Sequence, residues 1–246
     1  MASILTIRNE FLTELWLPLL TKGGAHLYPN LRKNKRMKIL VFTDETGNKE
    51  ITAFINAGLT KQEMVFAWTD TLPKAARLET YRPVKIVGTS RFQDSPLQNT
   101  ISLQQYLPFD GLIIDFSRQT ATDVERRLEQ EIICIEQLIS VQKQNHAGVN
   151  FVFIYTTLVE TESLSCNVVK QLSDNIHVEN WTGLIVNNLP ENAVTDGDKI
   201  RVIENLLSQL ALKYKFTINL EGRLSNTAEN GKRLYSVGTI FKVSVD

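Results

Sequence analysis

The stretch Lys38-Ile-Leu-Val-Phe-Thr43 is a short continuous apolar run, the pattern of a strand buried on both faces. A polar loop follows, Thr43-Asp-Glu-Thr-Gly-Asn48. Beyond it, Glu50-Ile-Thr-Ala-Phe-Ile-Asn-Ala57 predicts a helix, which Gly58 is placed to end. The same alternation then repeats. Met64-Val-Phe-Ala-Trp68 predicts a second strand, Pro73 to Tyr81 a helix, Val84-Lys-Ile-Val-Gly88 a third strand and Gly111-Leu-Ile-Ile-Asp115 a fourth. From Asp123 to Gln144 apolar residues recur at helical spacing (Val124, Leu128, Ile132, Ile135, Leu138, Ile139), and Asn150-Phe-Val-Phe-Ile-Tyr155 predicts a fifth strand. Strands alternating with helices in this way predict an α/β, Rossmann-like fold: a mostly parallel, doubly wound sheet with helices on both faces.

Outside this frame the pattern loosens. Residues 1–37 read as an N-terminal helical lead-in, with a short helix over Phe11 to Leu20 ending near Lys22-Gly-Gly-Ala25. The basic stretch Leu31-Arg-Lys-Asn-Lys-Arg-Met-Lys38 is either a solvated approach to the first strand or a phosphate-contacting patch. On the C-terminal side, Thr182-Gly-Leu-Ile-Val-Asn187 predicts a sixth strand and Lys199 to Leu212 a helix. Two last strands, Tyr214 to Leu220 and Leu234 to Val243, flank a polar region around Asn230-Gly231. With no helix between them to make a crossover, that pair is expected to be antiparallel. No repeat or linker interrupts the chain, so residues 1–246 are expected to form one domain.

Composition narrows the function classes. Of 246 residues, 43% are apolar and 22% charged, and 27 basic residues balance 27 acidic ones. No global field therefore recruits nucleic acid or an anionic membrane, and such binding needs a local basic patch. Cys134 and Cys166 have no metal-ligand spacing, and His26, His146 and His177 stand far apart, so no metal is expected. No apolar run approaches the roughly 20 residues that span a bilayer. The first residues lack the charged and apolar segments of a secretory signal, which makes the cytoplasm the expected compartment.

Ligands of open α/β sheets bind at the carboxyl ends of the strands, which directs attention to three loops. The loop after strand one has a single glycine, Gly47, where dinucleotide loops usually have three. At Trp68-Thr-Asp70, Asp70 either holds ribose hydroxyls or caps the helix that follows. Asp115-Phe-Ser-Arg-Gln119, after strand four, is either a carrier of reactive groups or an ordinary polar loop. Cys134 lies near the apolar stripe of the long helix and reads as a buried structural thiol, while Cys166 has no histidine base beside it.

From Lys38 to Val243 the order of these segments resembles the catalytic core of the DNA cytosine-5 methyltransferases. Leu40-Val-Phe-Thr43 through Ala57-Gly58 looks like that family's first strand, cofactor loop and helix; Trp68 to Asp70 looks like its ribose-binding strand end. Phe109-Asp-Gly-Leu-Ile-Ile114 is similar to the strand leading to its catalytic loop, and Arg233-Leu-Tyr-Ser-Val-Gly238 to the end of its Gln-x-Arg-x-Arg motif. The resemblance implies the class I S-adenosylmethionine-dependent fold. It also implies cofactor contacts at Phe42, Asp44, Gly47, Asp70 and Asp115, and nucleic-acid contacts at Arg118 and Arg233.

Several departures bear on activity. Gln119 matches the family loop, but Arg118 stands where the family has its nucleophilic cysteine, and a guanidinium cannot attack cytosine as a thiolate does. Tyr155-Thr-Thr157 replaces the base-binding Glu-Asn-Val, and Gly231 takes the place of the first arginine of Gln-x-Arg-x-Arg. Asp44 and Thr46 replace cofactor-loop glycines. These losses point to a catalytically degenerate protein that binds nucleic acid or a protein partner, with S-adenosylmethionine either retained or lost. Arg118 and Arg233, with Lys33, Lys35, Arg36 and Lys38, are its phosphate candidates. The alternative is an active S-adenosylmethionine-dependent methyltransferase that acts on nucleic acid without a cysteine nucleophile, because transfer to nitrogen or oxygen needs mainly orientation and charge stabilisation. A third reading is a structural subunit docking a partner through the sheet edge or through the N-terminal helix, which an exposed Trp16, Leu17 and Leu20 would favour.

Overall fold

A computed structural model of the chain describes residues 3–27, 36–43, 48–81, 84–89, 96–117, 124–145, 150–159 and 196–244. Its elements, in chain order, are α1 (Ile4–Phe11), a π-turn (Leu12–Trp16), α2 (Leu17–Leu27), β1 (Ile39–Phe42), α3 (Asn48–Asn56), β2 (Val65–Trp68), α4 (Leu72–Tyr81) and β3 (Lys85–Gly88). Then follow α5 (Pro96–Leu103), β4 (Gly111–Asp115), α6 (Val124–Asn145), β5 (Phe151–Val159), α7 (Asp196–Lys213), β6 (Phe216–Thr227) and β7 (Arg233–Val243). The expected strand at Thr182–Asn187 lies outside the described residues.

The seven strands form one sheet in the order β3-β2-β1-β4-β5-β7-β6. β1 to β5 pair in parallel, whereas β7 runs antiparallel to both β5 and β6. This is the mostly parallel Rossmann-like sheet with an antiparallel C-terminal pair that the sequence predicts. The strand order reverses between β1 and β4, which puts the topological switch point at the carboxyl ends of these two strands, beside β2.

Side chains alternate across the sheet and feed two cores. Leu40, Phe42, Phe66, Leu112, Ile114, Phe153 and Phe241 pack with α5, α6 and α7 on one face. Ile39, Val41, Val65, Ile113, Val152 and Ile154 pack with α1 to α4 on the other. Burial on both faces is why β1, β2 and β4 appear in the sequence as unbroken apolar runs.

The N-terminal helical region is longer than its apolar stretch suggests, and it belongs to the core. Helix continues through Gly23 and Gly24 to Leu27. Gly23 is needed there for close packing: a Cβ on it would lie 2.1 Å from Val152 Cγ2. Trp16 and Leu20 are buried against the sheet, and Trp16 Nε1 donates to Ser236 Oγ at 3.0 Å. Two of the three side chains that a docking helix needed to expose are therefore inside the molecule.

Three further differences have local causes. α5 was not expected, because its run Pro96-Leu-Gln-Asn-Thr-Ile-Ser-Leu103 has a thin apolar stripe. β5 extends to Val159 because the hydroxyls of Thr156 and Thr157 find partners inside the protein. β6 extends to Thr227 past an irregularity in register at Leu220/Gly222; as an edge strand it carries many exposed residues. The polar region around Asn230-Gly231 is the β6–β7 turn, with Gly231 at φ +79°.

Candidate functional site at the carboxyl edge

The carboxyl ends of β2, β1, β4 and β5 carry a row of aromatic rings on the face covered by α5 to α7. Trp68 and Phe42 stack with centroids 6.0 Å apart. Phe42 meets Phe116 edge-on at 6.1 Å, and Phe116 meets Tyr155 at 6.1 Å. All four are buried. Trp68 lies flat across β3, where only a glycine leaves room: a Cβ on Gly88 would come within 2.4 Å of the indole. Phe42, assigned to the cofactor by resemblance, thus belongs to a closed aromatic floor under the switch point.

Beyond that floor the polar side chains of β5 face inward. Tyr155 Oη donates to Glu131 of α6, as does Thr157 Oγ1 at 2.8 Å. Thr156 Oγ1 and Ser236 Oγ share a hydrogen bond of 2.7 Å. The Tyr155-Thr-Thr157 segment is therefore engaged within the fold, with Glu131 wholly buried behind it.

On the opposite face, three charged groups that are distant in sequence meet beneath the strand ends. Arg8 of α1 reaches Glu50 of α3 at 3.0 Å and also contacts Asp115 at the end of β4. Their side chains are only 2%, 6% and 2% exposed respectively. Asp115 Oδ1 in turn accepts from the amide and hydroxyl of Ser117, at 2.9 and 2.6 Å. Arg8 offers two further donors, Nε and Nη1, that are buried without a hydrogen-bond partner among the described residues. Burial raises the Glu50 carboxyl above its usual range, with Arg8 pulling the other way. Sequence reasoning missed Arg8 and Glu50. The signal present in the chain was an arginine on the buried stripe of Ile7, Phe11, Leu12 and Leu15. Asp115, expected at the cofactor, is held inside by Arg8 and Ser117.

Asp70 stands two residues past β2, just before α4. Its Oδ2 takes a hydrogen bond from Lys74 Nζ at 2.8 Å, whereas Oδ1 is buried with no partner among the described residues. No backbone amide among the described residues donates to either oxygen, so Asp70 does not cap α4. A buried carboxylate oxygen left unmet costs roughly 1–3 kcal/mol or more.

The remaining expected site residues divide between the two edges. Arg233 begins β7 opposite Val159, at the carboxyl edge, and its Nε donates to Ser225 Oγ at 2.7 Å. Lys38 stands at the amino end of β1, beside Asp110, whose Oδ2 accepts its amide at 2.7 Å. Arg36 and Lys38 therefore cannot share one patch with Arg233. Asp44, Gly47, Arg118, Gln119, Lys33 and Lys35 lie outside the described residues, as does Cys166. Cys134 is fully buried and its thiol is pushed well up by desolvation, then by Glu131, so it supplies no thiolate. Among the described residues no His/Cys/Asp/Glu group could hold a metal, and no helix is long and apolar enough to cross a membrane.

No protein-family model and no curated protein matches the chain. Solved structures of similar fold include a candidate rRNA methylase from Clostridium thermocellum, 12% identical, covering 90% of this chain and 97% of its own, at a TM-score of 0.40. A SAM-dependent methyltransferase from Methanosarcina mazei is 12% identical over 89% of this chain and 98% of its own, at 0.39. A candidate Zn-dependent alcohol dehydrogenase from Rhodobacter sphaeroides is 9% identical over 89% and 88%, at 0.38. No residue role is carried over from any of them.

Proposed function

We propose that this chain is an S-adenosylmethionine-dependent methyltransferase that acts on nucleic acid without a cysteine nucleophile, with Asp70 holding the ribose of the cofactor. The observation that carries the reading is Asp70 Oδ1, a buried carboxylate oxygen at the carboxyl end of β2 that has no partner among the described residues. In a doubly wound sheet this is where a nucleotide ribose lies, and two vicinal hydroxyls supply the donors that Asp70 lacks. Lys74 holds the carboxylate in place through Oδ2. The aromatic row of Trp68, Phe42 and Phe116 gives the site a rigid, dry floor.

The cofactor, when bound, supplies an activated methyl group on a sulfonium. The protein's part is then to orient an acceptor and exclude water. The buried Cys134 does not compete as a nucleophile. Arg233, at the same sheet edge, is positioned to meet an acceptor phosphate. The test is calorimetric titration with S-adenosylmethionine, followed by transfer of labelled methyl to a nucleic-acid pool. No binding at roughly millimolar cofactor, about −4 kcal/mol, would refute it.

A second reading has its own observation. Asp115, the acid closest to the expected reactive loop, is held inside by Arg8 and Ser117. That favours a catalytically degenerate fold kept for binding nucleic acid or a protein partner. Cofactor binding without any methyl transfer would select it.

A further inference from the structure

We infer that the amino edge of the sheet, opposite the proposed cofactor site, is a docking surface for the phosphodiester backbone of a nucleic acid. The basic segment leading into β1 ends at this edge, and the fold adds lysines from distant parts of the chain. Lys38 precedes β1, Lys61 lies ahead of β2, and Lys85 opens β3. Lys143 ends α6, Lys215 precedes β6, and Lys242 lies near the end of the antiparallel β7. Against them, among the described residues, stand Glu63 and Glu79, which are exposed, and Asp110, which is buried. In a chain whose charges balance overall, this is a strong local bias.

Aromatic rings line the same edge and hold the lysines in place. Lys38 Nζ sits 5.2 Å from the Phe66 centroid and 5.4 Å from that of Phe109. Lys85 Nζ lies 4.4 Å from Tyr106 and 5.8 Å from Phe66, and Lys143 Nζ lies 5.2 Å from Phe216. A ring under an ammonium leaves its outer N–H groups facing solvent. Lys38 and Lys85 thus converge on one ring despite repelling each other. Burial lowers the Lys38 ammonium below its ordinary value; Asp110 opposes that shift and Lys85 adds to it. An anion between the two would relieve the repulsion.

The geometry suits a linear polyanion. Seven strands about 4.8 Å apart give an edge roughly 29 Å long, the length of about eight nucleotides of one strand. The rings lie beneath the lysines, so the surface offers phosphate contacts and no base readout, and binding should be indifferent to sequence. A membrane is a poorer fit: Leu212 and Ile101 are exposed toward this edge, but two side chains on separate elements do not make the continuous apolar face that enters a bilayer. The inference shares with the proposed function only the choice of a nucleic-acid partner.

The test is fluorescence anisotropy with a labelled, mixed-sequence single-stranded RNA across a salt series. It compares the native chain with the triple variant Lys61→Glu, Lys85→Glu, Lys143→Glu and with the corresponding triple arginine variant. We expect the native protein to bind with a steep salt dependence. The glutamate variant should bind at least tenfold more weakly, with a log–log slope flatter by about 2, near 0.7 for each phosphate no longer neutralised. The arginine variant should bind like the native chain, and S-adenosylmethionine titration of the glutamate variant should be unchanged. Equal RNA affinity in the glutamate and native proteins overturns the inference. So does loss of binding on Arg233→Ala alone, or lysine-dependent binding of phosphatidylserine vesicles with none of RNA.

Discussion

Replacing Arg8 by methionine tests whether the buried charges beneath the strand ends hold the N-terminal helix to the sheet. Arg8, Glu50 and Asp115 come from α1, α3 and β4, with side chains no more than 6% exposed. Methionine keeps much of the volume and removes the charge, leaving two carboxylates that face each other out of water. Removing one partner of a buried ion pair typically costs about 3–5 kcal/mol. For a chain of this size each kcal/mol moves Tm by roughly 2–4 °C, so a fall of roughly 10 °C at neutral pH is expected. The pH profile carries the sharper signature. The folded-state pKa of Glu50 is raised by burial, with Arg8 as the chief opposing influence. The native state therefore binds the Glu50 proton more tightly than the unfolded chain does. That contribution is present below the ordinary carboxyl value and is lost as pH rises through the raised one. Without Arg8 the raised value climbs further. The variant should then lie closest to the native protein at about pH 4–5 and fall furthest behind at neutrality. Adding Glu50→Gln and Asp115→Asn should restore much of the stability, since no uncompensated charge then remains buried. Thermal unfolding followed by circular dichroism across this range is the assay. A Tm within about 2 °C of native at neutral pH, with a parallel pH profile, would mean that Arg8 does not hold the N-terminal helix to the sheet.

Other outcomes follow from single interactions. Trp16→Phe removes the indole donor to Ser236 and should lower stability by about 1–2 kcal/mol, read from the urea midpoint. Tyr155→Phe leaves buried Glu131 without its phenol donor, which should cost roughly 1–3 kcal/mol in the same measurement. The Tyr214 phenol is pushed up to about 12 by burial and then by Glu136, and Tyr235 is raised further by burial and its hydrogen bond to Glu204, so Tyr214 should ionise before Tyr235 in an NMR titration. Any stability it contributes is present below its ordinary value and is lost as pH climbs toward 12. Cys134 should resist alkylation in the native protein and react only after unfolding, because its thiol is wholly buried.

The parts of the fold legible in the sequence are those whose pattern follows directly from burial. Strands β1, β2 and β4 are covered on both faces, so each is a continuous apolar run whose ends fall within a residue or so of expectation. Edges and interruptions are harder. β6 is exposed along much of its length and irregular at Leu220/Gly222, so half of it looks like loop. At Gly23 a residue that usually ends a helix serves close packing against Val152, which no local pattern reveals. The site was legible to the extent that chain position determines it. Asp70 at a strand end is visible from alternation alone. The Arg8–Glu50–Asp115 cluster is not, because it depends on how a helix from one end of the chain crosses a sheet built later. The split of the basic residues between opposite edges likewise depends on strand direction and order, which composition does not encode.

Under the proposed function, Asp70 holds the cofactor ribose at the carboxyl end of β2. Calorimetric titration of the native chain and of Asp70→Ala with S-adenosylmethionine tests it most directly. Loss of charge-assisted hydrogen bonds from two hydroxyls is worth about 1.5–3 kcal/mol, or roughly ten- to a hundredfold in Kd. Binding by the native protein and a weakening of that size in the variant are expected, with thermal stability held or raised because a buried unmet oxygen has gone. Equal affinity in the two proteins, or no binding by the native chain at roughly millimolar cofactor, would contradict it.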